Sequence, residues 1–343
     1  MIMEYFGLDV HKRYTVFTRL DERGTLLGQG RVTNDAESLA SLLAQSVEPA
    51  KVVLEAGGIW PVFTDALEDH AAEVVLAHPL KTRAIASARI KTDRIDSATL
   101  AHLLRTDLVP RAYLAPRSLR EVREVLRYRV QLVRLRTAVK NRVHALLAMR
   151  GLMSPASDLF GHAGRRWLAS LALPPVPRRA VDGFLSILDA LNVQIRLIER
   201  EIRQRVRQSP EARRLWSIPG VGRFGALLIL AEIGDVHRFP DARHLISYAG
   251  LAPSVHSSGG RTYHGRITKQ GSPLLRWILV EAAVAASRQE GDLRERFRRV
   301  AQRKGPKTAR VALARHLLTI VYHVLADGTP YHAHTSAVAP LAA

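Results

Sequence analysis

Four carboxylates in the first hundred residues have the types and spacing that could hold a divalent metal ion. Asp9 lies near the end of a predicted strand, and Glu55 directly follows another one. Asp93 and Asp96 are three residues apart at the start of a predicted helix, which places both on one helical face. Strand ends of an α/β sheet commonly line its functional edge. We therefore expect the four side chains to converge.

A convergence of four carboxylates has a chemical consequence. Like charges gathered at one point repel one another and titrate abnormally unless cations neutralise them. Carboxylate oxygens are hard ligands that suit Mg²⁺ or Mn²⁺, and two such ions can stabilise the attacking and leaving oxygens of a phosphodiester displacement. Any one of these acids, taken alone, also fits an ordinary surface position. The metal site is therefore predicted from the set of four.

The composition limits the chemistry further. The 343 residues include 51 Lys and Arg, 31 Asp and Glu and no Cys, which gives a formal charge of +20. The missing cysteines exclude disulfide scaffolds, zinc ribbons, iron–sulfur clusters and cysteine nucleophiles. The longest apolar stretches fall short of the roughly 18 residues that span a bilayer. No signal peptide precedes the first strand, so we expect a cytoplasmic protein.

The charge is distributed unevenly along the chain. Residues 1–100 have a net charge of −3, whereas residues 101–343 have a net charge of +23. A positive surface of this size favours a polyphosphate ligand, because binding releases the counterions of that ligand. A basic protein without such a ligand and a protein adsorbed to an anionic membrane are the alternatives. Nucleic acid is the preferred partner, since the acidic part contains carboxylates that could act on it.

Strands and helices alternate in the first part of the chain, after an opening meander of three strands. This order predicts a layered α/β domain. Asn34 or Asp35 is the expected N-cap of the first helix. The predicted strands cover residues 5–10, 14–20, 25–32, 52–54 and 74–77, and the predicted helices cover residues 35–47, 61–70 and 94–105.

Long helices follow. Ser118 and Glu121 have the spacing of a capping box, and Gly151 is the first glycine able to end the segment. About 32 helical residues make a rod on the order of 50 Å. A second helix over 181–208, after a proline-rich turn at 174–177, has apolar residues in a coiled-coil pattern. These residues are Phe184, Leu188, Leu191, Ile195, Ile198 and Ile202. An intramolecular hairpin and an intermolecular dimer are both compatible with the pattern.

The third part begins with a Pro-Gly-x-Gly turn between two apolar helices, at residues 219–222. Gly220 and Gly222 there resemble the hairpin of helix-hairpin-helix modules, in which backbone amides approach a phosphate; a purely structural turn fits the same residues. A Gly/Ser-rich loop at 257–260 and an apolar helix at 273–287 follow. Basic side chains near the loop could contact a nucleic-acid backbone or form a solvated basic loop. They are Arg261, Arg266 and Lys269.

These motifs together resemble one family. Gly7-Leu8-Asp9-Val10-His11-Lys12, Leu54-Glu55-Ala56-Gly57-Gly58 and Lys91-Thr92-Asp93-Arg94-Ile95-Asp96-Ser97 look like the Asp-Glu-Asp-Asp tetrad of a RuvC-like nuclease domain. The family is that of insertion-sequence transposases described as bridge-RNA-guided serine recombinases. The turn at 218–222 and the segment Tyr248-Ala249-Gly250-Leu251-Ala252-Pro253 through Ser258-Gly259 match its C-terminal domain, with the long helices as its coiled-coil linker.

The resemblance implies covalent catalysis by a serine. In this family a C-terminal serine attacks the DNA phosphodiester, and the phosphoserine link conserves the bond energy for strand exchange. The family's spacing after Pro253 assigns this role to Ser258, whereas the residues alone do not separate Ser258 from Ser257, and an inert loop fits the flanking glycines. The resemblance also implies a structured guide RNA, and dimers that pair into a tetramer across two DNAs, with the active site formed within or between subunits.

The residues predict an α/β plus α protein, and the resemblance implies that it recombines the DNA of its own insertion sequence and has the following domains. A RuvC-like domain of the RNase H class spans 1–112, a coiled-coil linker 113–210, a mainly helical serine transposase domain with a helix-hairpin-helix-like element 211–330, and a flexible tail 331–343. A metal-dependent nuclease or junction resolvase, in which water attacks, is the alternative enzyme. A non-catalytic nucleic-acid-binding protein is the alternative of another class.

Overall fold

Two units, Met1–Arg117 and Ser118–Ala343, account for the chain. The computed structural model describes residues 3–46, 50–57, 60–67, 70–71, 73–85, 92–258 and 261–332. Most of the predicted tail, residues 333–343, lies outside the described residues. The predicted mixed α/β fold with a mainly helical C-terminal part is confirmed.

The first unit is built on a five-stranded sheet with strand order β3-β2-β1-β4-β5. The first three strands pair antiparallel, as the meander predicts. Strand β4 pairs in parallel with β1, and β5 pairs in parallel with β4. Helix α3 has no counterpart among the predicted elements. The strands are β1 (Glu4–Val10), β2 (Tyr14–Leu20), β3 (Leu26–Thr33), β4 (Ala50–Glu55) and β5 (Glu73–Ala77), and the helices are α1 (Ala36–Ala44), α2 (Trp60–Leu67), α3 (Pro79–Ile85) and α4 (Asp93–Arg105).

The alternation of side chains along β1 and β4 separates two apolar layers. Phe6 and Leu8 join a cluster with Leu39 of α1 and Phe63 of α2 on one face of the sheet. On the other face, residues of β4 and β5 join a cluster with α4. Since successive residues of a strand point to opposite faces, the odd-numbered positions of β1 lie on the α4 side.

Helix α4 approaches β1 more closely than a side chain would allow. A β-carbon placed on Gly7 would lie 2.1 Å from the carbonyl oxygen of Ser97 and 2.5 Å from the amide nitrogen of Ala101. Beside this contact the buried hydroxyls of Thr18 and Ser97 form a 2.8 Å hydrogen bond. The Gln29 amide donates to Thr18 Oγ1 and to the carbonyl oxygen of Arg94. These contacts fix the position of α4 along and across the sheet.

Two long helices and a helical bundle make up the second unit. Helix α6 has no counterpart among the predicted elements, and Ser257 and Ser258 of the predicted Gly/Ser-rich loop belong to a strand of a two-stranded hairpin. The helices are α5 (Arg117–Ala148), α6 (His162–Ser170), α7 (Pro175–Gln208), α8 (Pro210–Trp216), α9 (Arg223–Ile233), α10 (Ala242–Tyr248), α11 (Pro273–Ala286), α12 (Asp292–Lys304) and α13 (Pro306–Ala326), and the strands are β6 (Pro253–Ser258) and β7 (Arg261–Ile267).

Helices α5 and α7 are antiparallel within the chain. Leu126, early in α5, shares an apolar cluster with Ile202 near the end of α7. Val143, late in α5, shares another with Val181 near the start of α7. Between them the Arg129 guanidinium donates to a Glu199 carboxylate oxygen at 2.9 Å. Every seventh residue of α7 from Val181 is buried, namely Val181, Leu188, Ile195 and Ile202.

The predicted starts of both long helices are wrong. Ser118 is the second residue of α5 and therefore does not cap it. The proline-rich segment 175–177 is the first turn of α7 instead of a turn before it. Proline fits there because the first amides of a helix have no intrahelical acceptor.

One described helix, α13, is long and apolar enough to cross a bilayer by length and hydropathy. It was not anticipated, because Arg310 and Arg315 interrupt its apolar residues. Of its most apolar window, 56% is buried inside the protein. Leu313, Leu317 and Val321 belong to the main cluster of the second unit, so the helix contributes to a protein core.

Replacing Gly7 with alanine tests the contact between α4 and β1. The added methyl group meets backbone atoms, so α4 must shift, and we expect the free energy of unfolding of the first unit to fall by about 1–3 kcal/mol. Hydrogen–deuterium exchange of the β1 and α4 peptides in the full chain measures this. Gly28→Ala is the control, since its nearest neighbour would be Phe17 at 3.9 Å. Equal protection in both variants would contradict the assignment.

Candidate functional site

Asp9 and Glu55 are at equivalent places in neighbouring parallel strands. Leu8 of β1 pairs with Leu54 of β4, so each acid is the next residue at the same edge of the sheet. Asp9 is two residues after Gly7 and so points to the same face of the sheet, the face on which α4 packs. Glu55 is two residues after Val53, which belongs to the apolar cluster with α4, and so points to that face as well. The alternation of the strands thus places both acids on the α4 face.

The first turn of α4 supplies the other two carboxylates. Thr92 is the N-cap, and its hydroxyl oxygen accepts a hydrogen bond from the Ile95 amide at 3.3 Å. Asp93 and Asp96 follow within that turn, as predicted. The free amides and the dipole at a helix N-terminus favour negative charge there. The cap and the acids therefore stabilise the same helix end.

His11 joins two of the predicted acids in one cluster. Its Nε2 atom lies 3.1 Å from Asp9 Oδ2 and 3.2 Å from Asp93 Oδ2. Ligand atoms of the three residues all lie within 4.8 Å of one another. The Tyr14 hydroxyl donates to Asp93 Oδ2 at 3.3 Å. Glu55 and Asp96 are not members of this three-residue group, which is the one found among the described residues.

His11 was missed as a site residue, although it is part of the motif around Asp9. The turn between β1 and β2 positions it: Asn34 Nδ2 donates to the His11 carbonyl oxygen at 2.6 Å, and Thr15 Oγ1 donates to Asn34 Oδ1 at 2.8 Å. The His11 and Tyr14 rings lie 4.6 Å apart. The available signal was its position two residues after Asp9, which keeps the strand's parity.

The electrostatics of the cluster are those of crowded carboxylates. Burial raises the pKa of Asp9 above its ordinary value, and the negative charges of Asp93 and Asp96 raise it further, while His11 opposes this shift. The donor set consists of carboxylate oxygens and one imidazole nitrogen, which fits a divalent cation such as Mg²⁺ or Mn²⁺. A bound cation would relieve the repulsion that raises the pKa of Asp9.

The predicted serine lies at the end of strand β6. Ser258 pairs with Arg261, and Ser257 pairs with Thr262, in an antiparallel hairpin. Gly259 and Gly260 lie outside the described residues, and of Ser258 and Arg261 the structure describes the backbone. Arg266 belongs to β7, whereas Lys269 follows it; both side chains are exposed. The predicted basic loop is therefore mostly a strand.

Arg276 holds the base of this hairpin. Its Nη1 atom donates hydrogen bonds to the carbonyl oxygens of Ala249, Gln270 and Gly271 at 3.0–3.1 Å. Burial lowers the pKa of Arg276. Gly250 and Gly271 adopt φ angles of 68° and 83° where the two ends of the hairpin meet. These contacts join the segments at both ends of the hairpin to the first turn of α11.

Gly220 and Gly222 differ in their surroundings. Gly220 has a φ of 84°, and a β-carbon there would lie 2.2 Å from the carbonyl oxygen of Ala282. Its small size thus serves packing against α11. Gly222 is the N-cap of α9, and a β-carbon there would meet no atom within 4 Å. Of the two, Gly222 is the one open to a ligand.

Comparisons with known proteins match two parts of the chain to family models. Residues 6–149 match the IS110 DEDD transposase model, and residues 212–298 match the transposase IS116/IS110/IS902 family model. The two matched domains, in this order, define the class as a DEDD-type transposase with a separate C-terminal domain. The chain belongs to the IS110 family of transposases.

Individual relatives are similar over part of their length. A probable family 20 transposase of Pseudomonas aeruginosa is 33% identical over 221 residues, 61% of this chain and 64% of that protein. The transposase for insertion sequence element IS1111A of Coxiella burnetii is 31% identical over 218 residues, 62% of this chain and 60% of that protein. A pilin gene-inverting protein of Moraxella bovis is 35% identical over 141 residues, which are 39% of this chain and 44% of that protein. The chain thus covers less than two thirds of each relative.

Replacing Arg276 with alanine tests how the serine hairpin is held. Loss of three hydrogen bonds releases the ends of the hairpin from α11, so we expect faster hydrogen–deuterium exchange in residues 250–271 and destabilisation by about 1–3 kcal/mol. Arg294→Ala is the control, because Arg294 contacts Glu290 at the exposed end of α12. Unchanged exchange of the hairpin in Arg276→Ala would show that other contacts position it.

Proposed function

We propose that this protein is a DNA transposase that cuts and rejoins the DNA of its own insertion sequence. The observation that carries the proposal is the convergence of Asp9 and Asp93, with Asp96 close enough to affect the pKa of Asp9. Support comes from the matches to both transposase domains. The name of the pilin gene-inverting relative fits a recombination reaction.

In this proposal the tetrad Asp9, Glu55, Asp93 and Asp96 holds Mg²⁺ or Mn²⁺. When bound, the cation supplies positive charge to a phosphodiester undergoing displacement. The chain itself positions the carboxylates: Asp9 and Glu55 lie at the ends of β1 and β4, and Asp93 and Asp96 lie in the first turn of α4, which packs on the same face of the sheet. His11 and Tyr14 orient the Asp9 and Asp93 carboxylates.

Ser258 is the proposed nucleophile. Its hydroxyl oxygen attacks the phosphorus, a phosphorus–oxygen bond forms, and the bond to a deoxyribose oxygen breaks. The serine proton passes to a base, and the leaving oxygen acquires a proton. Attack of a deoxyribose hydroxyl from another strand reverses these steps and releases Ser258. The reaction is thus balanced without an external energy source.

A structured guide RNA and a tetramer formed from two dimers complete the proposal. We also propose that the two long helices act as a coiled-coil linker and that the chain functions in the cytoplasm, where its DNA is. Support for a polyanionic partner comes from the +23 net charge of residues 101–343. Gly222, Arg266 and Lys269 are exposed candidates for contacts with its phosphates, and Arg261 and Gly220 are the further ones that the sequence predicts.

Substituting Asp9 with asparagine tests the metal centre. We expect Asp9→Asn to weaken Mn²⁺ binding at least tenfold, or by about 1.4 kcal/mol, in calorimetric titrations with DNA present. Recombination should be lost while DNA binding remains. Glu37→Gln is the matched control, because Glu37 is an exposed acid of α1. Metal binding equal to that of the unchanged protein would refute the assignment of Asp9.

Substituting each serine separately tests the nucleophile. Ser258→Ala should abolish both strand exchange and the covalent protein–DNA adduct, because no oxygen remains to form the phosphoserine bond. Ser257→Ala should retain both. Denaturing electrophoresis of trapped reactions with labelled DNA detects the adduct. Loss of the adduct in Ser257→Ala alone would reassign the role to Ser257.

The same experiments separate the two alternative functions. A metal-dependent nuclease that uses water would cleave DNA without an adduct, and Ser258→Ala would keep its activity. A non-catalytic nucleic-acid-binding protein would show neither cleavage nor a metal requirement, so Asp9→Asn would change nothing. The transposase proposal requires both the adduct and the metal.

A further inference from the structure

A run of unopposed positive charge spans the end of α12 and the start of α13. Between residues 296 and 310 the sequence has seven basic residues and no acidic one. Both acids of α12, Asp292 and Glu295, lie in its first turn. The seven basic residues are Arg296, Arg298, Arg299, Arg303, Lys304, Lys307 and Arg310.

The packing of α12 against α13 leaves the basic side chains of α12 exposed. Leu293 and Phe297 on its apolar side join the cluster that includes Leu313 and Leu317 of α13. All seven basic side chains are exposed. Since the apolar side is occupied by α13, the basic side is directed to solvent.

The seven basic residues differ from several arginines of the second unit that form ion pairs. Arg165 pairs with Asp189, Arg178 with Asp182 and Arg205 with Glu201, in each case at 2.6–2.7 Å. Within the described part of the chain, no ion pair forms at any of the seven. The seven charges are therefore not held in contact ion pairs and are available to an external anion.

The spacing along the helix suits a polyphosphate. Arg296, Arg299 and Arg303, termed the basic strip, are separated by three and four residues and so share one helical face. They extend over about 10 Å. A strand of duplex DNA presents a phosphate about every 3.4 Å along the axis, so the strip matches roughly three phosphates.

The positive potential affects a neighbouring group. Burial, and in addition the charge of Arg296, lowers the pKa of His316 in α13 to about 4. The imidazole is therefore neutral at physiological pH and adds no charge of its own. The charge of the strip therefore comes from guanidinium groups alone.

An anionic membrane is a poorer fit than a nucleic acid. A helix that lies in a membrane interface inserts an exposed apolar face between the lipids. The apolar side of α12 is packed against α13. Helix α12 therefore presents positive charge but no free apolar face to insert between lipids, and positive charge is what contacts with phosphates require.

We propose that the basic strip, with its basic neighbours on α12 and at the start of α13, binds the phosphate backbone of a nucleic acid without sequence preference. The inference rests on the proposed function only for the identity of the polyanion. It assigns binding to a surface that has no part in the metal centre or the serine hairpin. Its role is to add affinity, while sequence selection lies elsewhere.

A triple substitution tests the strip. Binding of the full-length protein to a 30-base-pair random duplex, as DNA and as RNA, is measured by fluorescence anisotropy at several salt concentrations. For Arg296→Gln, Arg299→Gln and Arg303→Gln combined, we expect affinity to fall about tenfold or more at 0.1 M salt. The slope of log affinity against log salt should decrease by about 2–3. The corresponding lysine triple should retain most of the slope.

The matched control removes the same charge from α7, by Arg196→Gln, Arg200→Gln and Arg207→Gln. These arginines are exposed. Equal weakening by both triples would overturn the proposal, because net charge alone would then govern binding. Loss of binding to anionic vesicles, with DNA and RNA binding unchanged, would overturn it in favour of a membrane. Weakening for DNA and RNA alike supports recognition of the shared backbone.

Further measurements separate this inference from the proposed function. Mn²⁺ binding and adduct formation at saturating DNA should be unchanged in the α12 triple; a defect at saturation would overturn a role confined to affinity. If the unchanged protein bound neither DNA nor RNA, the proposed function would fail as well. If the triple variant does not fold, the single variant Arg299→Gln can be measured in its place. Its slope of log affinity against log salt should decrease by about 0.9.

Discussion

The close packing of α4 on β1 at Gly7 determines where the acidic cluster forms. Gly7 lets the backbone of α4 reach the sheet, and the buried hydrogen bond between Thr18 and Ser97 fixes the helix beside it. Asp9 is two residues along the strand from Gly7, and Asp93 is four residues before Ser97. A displacement of α4 would therefore carry Asp93 away from Asp9. The candidate chemistry depends on a contact made entirely of small and polar residues.

The fold also limits the cost of bringing like charges together. The N-terminus of α4 favours the negative charge of Asp93 and Asp96, and His11 places a nitrogen between the Asp9 and Asp93 carboxylates. Burial is the main cause of the raised pKa of Asp9, and the negative charges of Asp93 and Asp96 add to it. Crowded carboxylate oxygens held by a strand and a helix are suited to a cation, because little reorganisation is needed for its binding.

Patterns local in sequence were predictable, and contacts between distant segments were not. Strand alternation and a Thr-capped helix start are local, so the sheet meander and the positions of Asp9 and Asp93 follow from the sequence. The position of His11 two residues after Asp9 is local, whereas its contact with Asp93 requires β1 and α4 to be adjacent. The proline-rich segment 175–177 was misjudged because proline is compatible with both a turn and a first helical turn. Ser258 was assigned to a loop because its pairing with Arg261 lies across a hairpin.

The seven-residue periodicity of burial in α7 restricts how the length of this segment can vary during evolution. Deleting or inserting one residue rotates everything beyond it by about 100° and shifts it by about 1.5 Å, which would turn Leu188, Ile195 and Ile202 out of their buried positions. A change of seven residues almost restores the original phase. Related chains with a longer or shorter α7 should therefore differ by whole heptads, with a compensating change in α5.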